Sequence, residues 1–278
     1  MTAICLLHPG EMGAAIGANA VKNGHTVLWV PDGRSEATHR RADAAGLTPA
    51  LSVEDAVAAA VIVLSICPPA AAQDVAEEVS EIGFDGLYVD ANAISPEKAI
   101  RISELPGLTR VLDGSIIGPP PRNTGTRLYL AGPEQDIVTV ADLFSGTLVT
   151  TRTAGTDLGS ASALKMAFAS FQKAARPLAA VAHALARSYN VGDLLADEAA
   201  TMPGDILANT AYLPSVAARS WRWAPEMEEI ANALTSAGLP DDQARAAEYV
   251  LHRWDADRDR RDLTLDETLD RLHGDAER

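Results

Sequence analysis

The stretch Ala3-Ile-Cys-Leu-Leu-His-Pro-Gly-Glu-Met-Gly13 decides how this chain folds. Ala3 to Leu7 is apolar without interruption, the mark of a strand covered on both faces rather than one half open to water. His8 to Gly13 is a turn, and an alanine-rich helix from Ala14 to Asn23 follows before Gly24 stops it. Thr26-Val-Leu-Trp-Val30 then supplies the next strand, completing a β-α-β unit. A dinucleotide-binding turn needs one glycine to turn tightly, one where the pyrophosphate nears the backbone, and one where helix meets strand. Gly10 and Gly13 fit the second and third roles, while His8 stands where the first belongs. The same glycines would also serve a turn with no ligand.

The pattern continues outward. Val61 to Ser65 and Gly86 to Asp90 read as further buried strands, and Gly46 ends an intervening helix. Ser95 followed by Pro96 is an N-cap with proline at the first helical position, where a missing N–H does no harm. Val111–Ile117, Arg127–Leu130 and Leu148–Thr151 are expected to complete the sheet. Past Gly155 the strand signals vanish. Ser160 to Tyr189 reads as one long helix that Pro177 should kink. Thr264-Leu-Asp-Glu267 is a capping box, and the mixed charges of Asp255 to Arg278 suggest a solvated terminal helix. The expected architecture is a doubly wound parallel α/β domain over residues 1–155 and an all-α domain over 156–278.

Composition narrows the function. With 38 acidic against 23 basic residues the net charge is -15, which argues against nucleic acid or an anionic membrane as a partner. Cys5 and Cys67 are too few for a disulfide framework or a cysteine-rich zinc site. The six histidines are scattered without ligand spacing, so no metal is expected. No cation precedes Lys22, unlike a secretory leader, and the apolar run Ala56–Ile66 is too short to span a bilayer. The expectation is a soluble cytoplasmic protein acting on a small molecule.

The end of the second strand bears on which nicotinamide cofactor fits. An acid there would accept the ribose 2′-OH, whereas an arginine would suit a 2′-phosphate. Asp32 is near the acidic position, but Pro31-Asp32-Gly33 reads as a turn that carries it past the ribose. Arg34 and Ser35 open the next helix, whose N-terminus favours an anion. Arg34, Arg40 and Arg41 against Glu36 leave this segment at +2 in an acidic chain. NADP is favoured over NAD.

His8-Pro-Gly-Glu-Met-Gly13, Asn23-Gly-His-Thr-Val27, Asp90-Ala-Asn-Ala-Ile-Ser-Pro96 and Leu158-Gly-Ser-Ala-Ser-Ala-Leu-Lys165 occur in the order seen in the β-hydroxyacid dehydrogenases. The chain resembles that superfamily, which includes 6-phosphogluconate dehydrogenase, 3-hydroxyisobutyrate dehydrogenase and the imine reductases, over essentially its whole length. Ala218 to Glu229 looks like a branch with a divergent C-terminal domain. The resemblance implies a Rossmann domain, a helical second domain that forms a homodimer, and an active site in the cleft between the two. It places His8, Pro9, Gly10, Glu11, Met12 and Gly13 on the pyrophosphate, Arg34 and Ser35 on the 2′-phosphate, Cys67 and Pro68 along the dinucleotide, and Asn92 near the nicotinamide ribose. Cys67 could instead be a reactive thiol.

Lys165 matches the superfamily's catalytic lysine. Hydride transfer to a carbonyl develops alkoxide charge, which an ammonium can stabilise and protonate. A desolvated lysine can be tuned for this and an arginine cannot. Lys165 is one of four lysines and shares a helical face with Leu158, Ala161, Phe168 and Ala169. Gly159 and Ser160 should let this helix approach the nicotinamide. Other positions depart from the pattern. Ala169 stands in place of the asparagine one turn later, and Glu228-Glu229 in place of a late Lys-Asp pair. The substrate loop, Asp113 to Gly125, reads Ile117-Gly118-Pro119 where relatives carry Ser-Gly-Gly, which weakens a carboxylate cradle. Ser115, Arg122 or Asn123 could replace it, leaving Ser115, Ile117, Gly118, Arg122, Asn123 and Lys165 as the candidate substrate contacts. The sequence therefore favours an NADP-dependent oxidoreductase acting on alcohol and carbonyl carbons. Imine reduction and a catalytically silent NADP-binding protein are the alternatives.

Overall fold

The computed structural model describes residues 1–273 except 189, 203, 205, 207, 208 and 237. Two compact units divide between Met166 and Ala167. The helical expectation for Tyr189, and for 274–278 of the terminal segment, lies outside the described residues.

The first unit alternates strand and helix: β1 (Ala3–Leu7), α1 (Glu11–Lys22), β2 (Thr26–Trp29), α2 (Glu36–Ala44), β3 (Thr48–Pro49), α3 (Val53–Ala59), β4 (Ile62–Ser65), α4 (Ala72–Ile82), β5 (Leu87–Asp90), α5 (Pro96–Ser103), β6 (Arg110–Ile117), β7 (Thr126–Ala131), α6 (Glu134–Leu143) and β8 (Val149–Gly155). The strands form one sheet in the order β3-β2-β1-β4-β5-β6-β7-β8. Every neighbouring pair is parallel except β6 and β7. Only β3 was not anticipated. Its two residues are exposed and end on a proline, so no periodicity marks them.

Alternate side chains of the central strands fill two cores. Ile4, Leu6, Ile62 and Leu64 pack with Ile16 and Ala20 of α1 on one face, and with Ile137 and Val140 of α6. Cys5, Val63 and Tyr88 pack on the other face with Val75, Val79 and Ile102 of α4 and α5. This two-sided burial is what made the strands read as unbroken apolar runs. Crossing from β1 to β4 reverses the direction in which strands are added, and ligands in such sheets sit at the carboxyl ends by that switch point.

α7 (Ser160–Ser188) contains Pro177 without ending there. The units divide inside α7, beyond the expected 155/156 boundary, because its first turns are bonded to β6. The second unit continues with α8 (Gly192–Thr201), α9 (Leu213–Ala217), α10 (Ser220–Ser236), α11 (Asp242–His252) and α12 (Leu265–Asp270). Among the described residues after Gly155 no strand occurs. The capping box forms, with Thr264 and Glu267 bonding reciprocally. The single solvated terminal helix does not. Asp257 is instead buried and accepts from Arg260 and Arg271, leaving only the short α12. No helix among the described residues is long and apolar enough to cross a membrane.

Candidate active site

The turn after β1 is built on an unusual residue. His8 adopts φ +67°, the left-handed region that normally belongs to glycine. Its carbonyl accepts from Gly10 N at 2.7 Å, and a Cβ on Gly13 would lie 2.9 Å from the same oxygen. Gly13 therefore closes the turn from inside. Gly10 faces open space, with nothing within 4 Å of where its Cβ would stand. That bare approach at the start of α1 is what a pyrophosphate needs. Pro9 is buried beneath the turn, while Glu11 and Met12 open the helix. Gly17, one turn beyond Gly13, was missed by the sequence reading. A Cβ there would meet Leu47 at 2.9 Å and Leu6 at 3.0 Å, so Gly17 sets how closely α1 lies on the sheet.

The turn after β2 has the expected form. Arg34 N donates to Pro31 O at 3.1 Å across Asp32 and Gly33, and Gly33 has φ +66°. Asp32 is thereby exposed. Ser35 caps α2, its Oγ accepting from Thr38 N at 3.3 Å. Arg34 lies close enough to His8 for its charge to act there. Burial first, and Arg34 second, push the His8 imidazole down to about 4. His8 is thus neutral at pH 7, and its Nδ1 and Arg34 Nε are buried without a partner. The unpartnered Arg34 Nε, a buried cationic donor near a bare glycine turn, fits an anionic dinucleotide.

At the ends of β4 and β5 the side chains bond to one another. Asn92 is 3% exposed. Its Oδ1 accepts from Cys67 N at 2.6 Å, and its Nδ2 reaches Ser65 Oγ and Asp90 Oδ2, each at 3.0 Å. Asn92 therefore braces the two strand ends, its side chain already fully bonded. Burial pushes the Cys67 thiol up to about 12, so it holds no thiolate at neutral pH. Pro68, in extended conformation, precedes a short helical turn leading into α4. Asp90 is buried, and burial raises its carboxyl to about 7. The neighbouring Asp113, its register partner on β6, is also raised by burial.

Asp113 holds the helix that carries the lysine. Its carboxylate accepts from Ser162 N at 3.0 Å and Ser162 Oγ at 2.6 Å, at the start of α7. One turn on, Lys165 Nζ donates to Ile116 O at 3.0 Å. Burial pushes the Lys165 ammonium down to about 8. Ala161 and Ala169 on its helical face are buried, whereas Phe168 is 43% exposed. Gly159 takes φ +93° and lies against Pro96 of α5, its Cβ position 3.3 Å from that ring.

The remaining candidates divide. Ser115 is fully buried, and its Oγ has no partner. Ile117 is buried, and Gly118 is confined by Thr126, whose Oγ1 would lie 2.5 Å from an added Cβ. Arg122 and Asn123 are exposed, and Arg122 lies beside α1, where Asn19 Nδ2 donates to Pro121 O at 2.9 Å. The register row Leu7–Ser65–Asp90–Asp113 sets the carboxyl ends of β1, β4 and β5 beside the middle of β6, which runs on to Ile117. His8, Cys67 and Asn92 thus follow strand ends on one sheet edge, and the Lys165 anchor, Ile116, lies three residues farther along β6.

This fold, with its glycine turn at a topological switch point, defines a dinucleotide-binding α/β protein. The NAD binding domain of 6-phosphogluconate dehydrogenase matches residues 3–145, and the chain belongs to that family. A domain of unknown function, DUF1932, matches residues 186–254. No curated protein matches the sequence. Among solved structures, the chain resembles Mycobacterium tuberculosis 3-hydroxyisobutyrate dehydrogenase, solved with L-serine. Identity there is 20% with a TM-score of 0.76, covering 99% of this chain and 100% of the other. A conserved hypothetical protein from Sinorhizobium meliloti 1021 is 23% identical with a TM-score of 0.69, covering 98% and 96%. A Streptomyces aurantiacus imine reductase is 21% identical with a TM-score of 0.56, covering 98% and 99%. At these identities the shared property is the fold.

Proposed function

We propose that the chain is an NADP-dependent oxidoreductase that interconverts the alcohol and carbonyl carbons of a small polar metabolite, with Lys165 as general acid and base. The bound nicotinamide would supply or accept the hydride. Gly10 and Gly13 would admit the pyrophosphate at the start of α1, and Arg34 with the Ser35 cap would take the 2′-phosphate. Lys165 would hold the proton at Nζ, giving it to the nascent alkoxide in reduction and withdrawing it from the hydroxyl in oxidation. The observation that carries this reading is the desolvated lysine, pushed to about 8 and held on Ile116 O at the carboxyl end of β6. A group titrating near the working pH can move a proton in either direction.

Other features support a substrate unlike those of the superfamily's familiar members. Pro119 has no N–H, Ile117 has no hydroxyl, and Arg122 lies beside α1, which leaves Ser115 Oγ as the unpartnered polar atom of this strand. On α7, Phe168, Phe171 and Leu178 are 43%, 71% and 55% exposed, an apolar stripe suited to a second copy of the chain.

The test is Lys165→Met, assayed with NADPH on a panel of carbonyl and imine compounds. Turnover should fall about 10²–10⁴-fold with NADPH affinity kept within a few-fold. Unchanged turnover would remove Lys165 from the chemistry. Activity confined to imines would transfer the reading to C=N reduction, and none on any compound in the wild type would leave a nucleotide-binding protein.

A further inference from the structure

Away from the sheet edge, a cavity of about 380 Å³ opens between α1, α2 and the loop after β6. Its floor is formed by alanine methyls of the two helices, including Ala18 and Ala44, and its polar side chains are Asn19, Lys22, Arg41 and Arg122. Three cations around one cavity are notable in a chain of net charge -15. None of the three forms an ion pair among the described residues, although Arg41 donates to Thr38 Oγ1 at 3.0 Å and keeps a buried, unpartnered Nε. Asn19 is already committed, to Ala15 O at 2.8 Å, Pro121 O at 2.9 Å and Leu148 N at 3.1 Å. The walls therefore offer no free neutral side-chain group to read a base or a hydroxyl. Recognition there can only be by charge, over an apolar floor.

We propose that this cavity binds a small organic polyanion, with carboxylate or phosphate groups on Lys22, Arg41 and Arg122 and its carbon body on the alanine floor. The cavity runs along α1 from Ala14, next to the glycine turn, but Lys22 closes the 12-residue helix, roughly 16 Å from the turn at about 1.5 Å per residue. It is also independent of the redox chemistry proposed above. The occupant would tie Arg122 to both helices and so fix the loop that runs directly from Ile116–Gly118, where Lys165 is anchored. A bound anion therefore has a short covalent route to the lysine.

The test uses the full chain with citrate and with inorganic pyrophosphate as probes, by calorimetry and hydrogen exchange. At least one of them should bind, and the stronger one identifies carboxylate or phosphate as the preferred group. Binding should weaken at least tenfold in the Lys22→Ala/Arg122→Ala double variant, in which both exposed positions can change without loss of the fold. Exchange of the 122–125 amides should slow several-fold on binding, and saturating NADPH should leave the affinity unchanged. Absence of binding, equal binding by the double variant, or displacement by NADPH would each overturn the proposal, the last by assigning the cavity to the dinucleotide.

Discussion

Lys165 Nζ donates to Ile116 O, and three residues earlier on both elements Ser162 donates to Asp113. Strand β6 therefore grips the first two turns of α7, one point on each. Residues three apart on a helix lie on one face about 5 Å apart, whereas on a strand they are about 10 Å apart. The long lysine side chain spans the difference. The carboxylate fixes the helix backbone, and the carbonyl then fixes the amine.

The lysine's burial sets the pH dependence. Its ammonium is pushed from 10.5 to about 8, so carbonyl reduction, which needs the protonated form, should fall as pH rises through about 8. Alcohol oxidation needs the free amine and should rise over the same range. The same shift bears on stability with a defined sign. Between about 8 and 10.5 the unfolded chain binds the proton and the folded chain does not, so this group's contribution grows as pH rises there and is lost as pH falls through 8. Initial rates in both directions from pH 6 to 10 check the catalytic part. Limbs of the same sign in the two directions would contradict it.

Asp113→Asn should loosen this arrangement. One carboxylate oxygen becomes an amide that offers hydrogens to the Ser162 N–H or hydroxyl, both now donating to Asp113. A loss of about 1–3 kcal/mol is expected from an unsatisfied buried group. Because the lysine is held one turn further along the same helix, kcat should also drop while the affinity for NADPH changes little. Urea unfolding and steady-state kinetics on one preparation separate the two effects. A variant equal to the parent in both would show that Ile116 alone places the amine.

Gly10 and Gly13 should respond in opposite ways to the same added methyl. At Gly13 the new Cβ meets the His8 carbonyl at 2.9 Å, so Gly13→Ala should lower Tm even without cofactor. At Gly10 the space is open, so Gly10→Ala should keep Tm and weaken NADPH binding about tenfold or more. Melting curves and fluorescence titration of both variants test this. Equal NADPH affinity in Gly10→Ala and the parent would place the pyrophosphate elsewhere.

What the sequence revealed and what it hid follow from the range of the interactions. The β1 turn and α1 were legible because glycines and apolar runs act within a few residues. β3 was not, since two exposed residues ending in proline carry no pattern. Asp113 reads in the sequence only as strand and as the start of the substrate loop, because its partner Ser162 lies 49 residues away and nothing local signals the pairing. Asn92 was legible only as a cofactor contact, because its bonds to Cys67 N and Ser65 Oγ close between strand ends brought together by the sheet. Arg122 and Asn123 followed the substrate loop in sequence, yet Asn19, 102 residues before Pro121, draws that loop toward α1.

Arg34 joins the cofactor preference to a titration that can be observed directly. Its guanidinium lies beside the second turn, with Nε buried and unpartnered, while Asp32 is turned out to solvent. Arg34→Ala should weaken NADPH about 10–100-fold through loss of a charge-assisted contact and leave NADH within a few-fold. Independently of any cofactor, removing this charge takes away the lesser of the two causes that depress His8. The imidazole should then titrate above its present value of about 4 but still below 6.5, because burial, the larger cause, persists. Histidine proton shifts followed by NMR from pH 3 to 8 measure this in the parent and the variant. An unmoved His8 titration would separate Arg34 from the turn, and an unmoved NADPH affinity would return the ribose end to NAD.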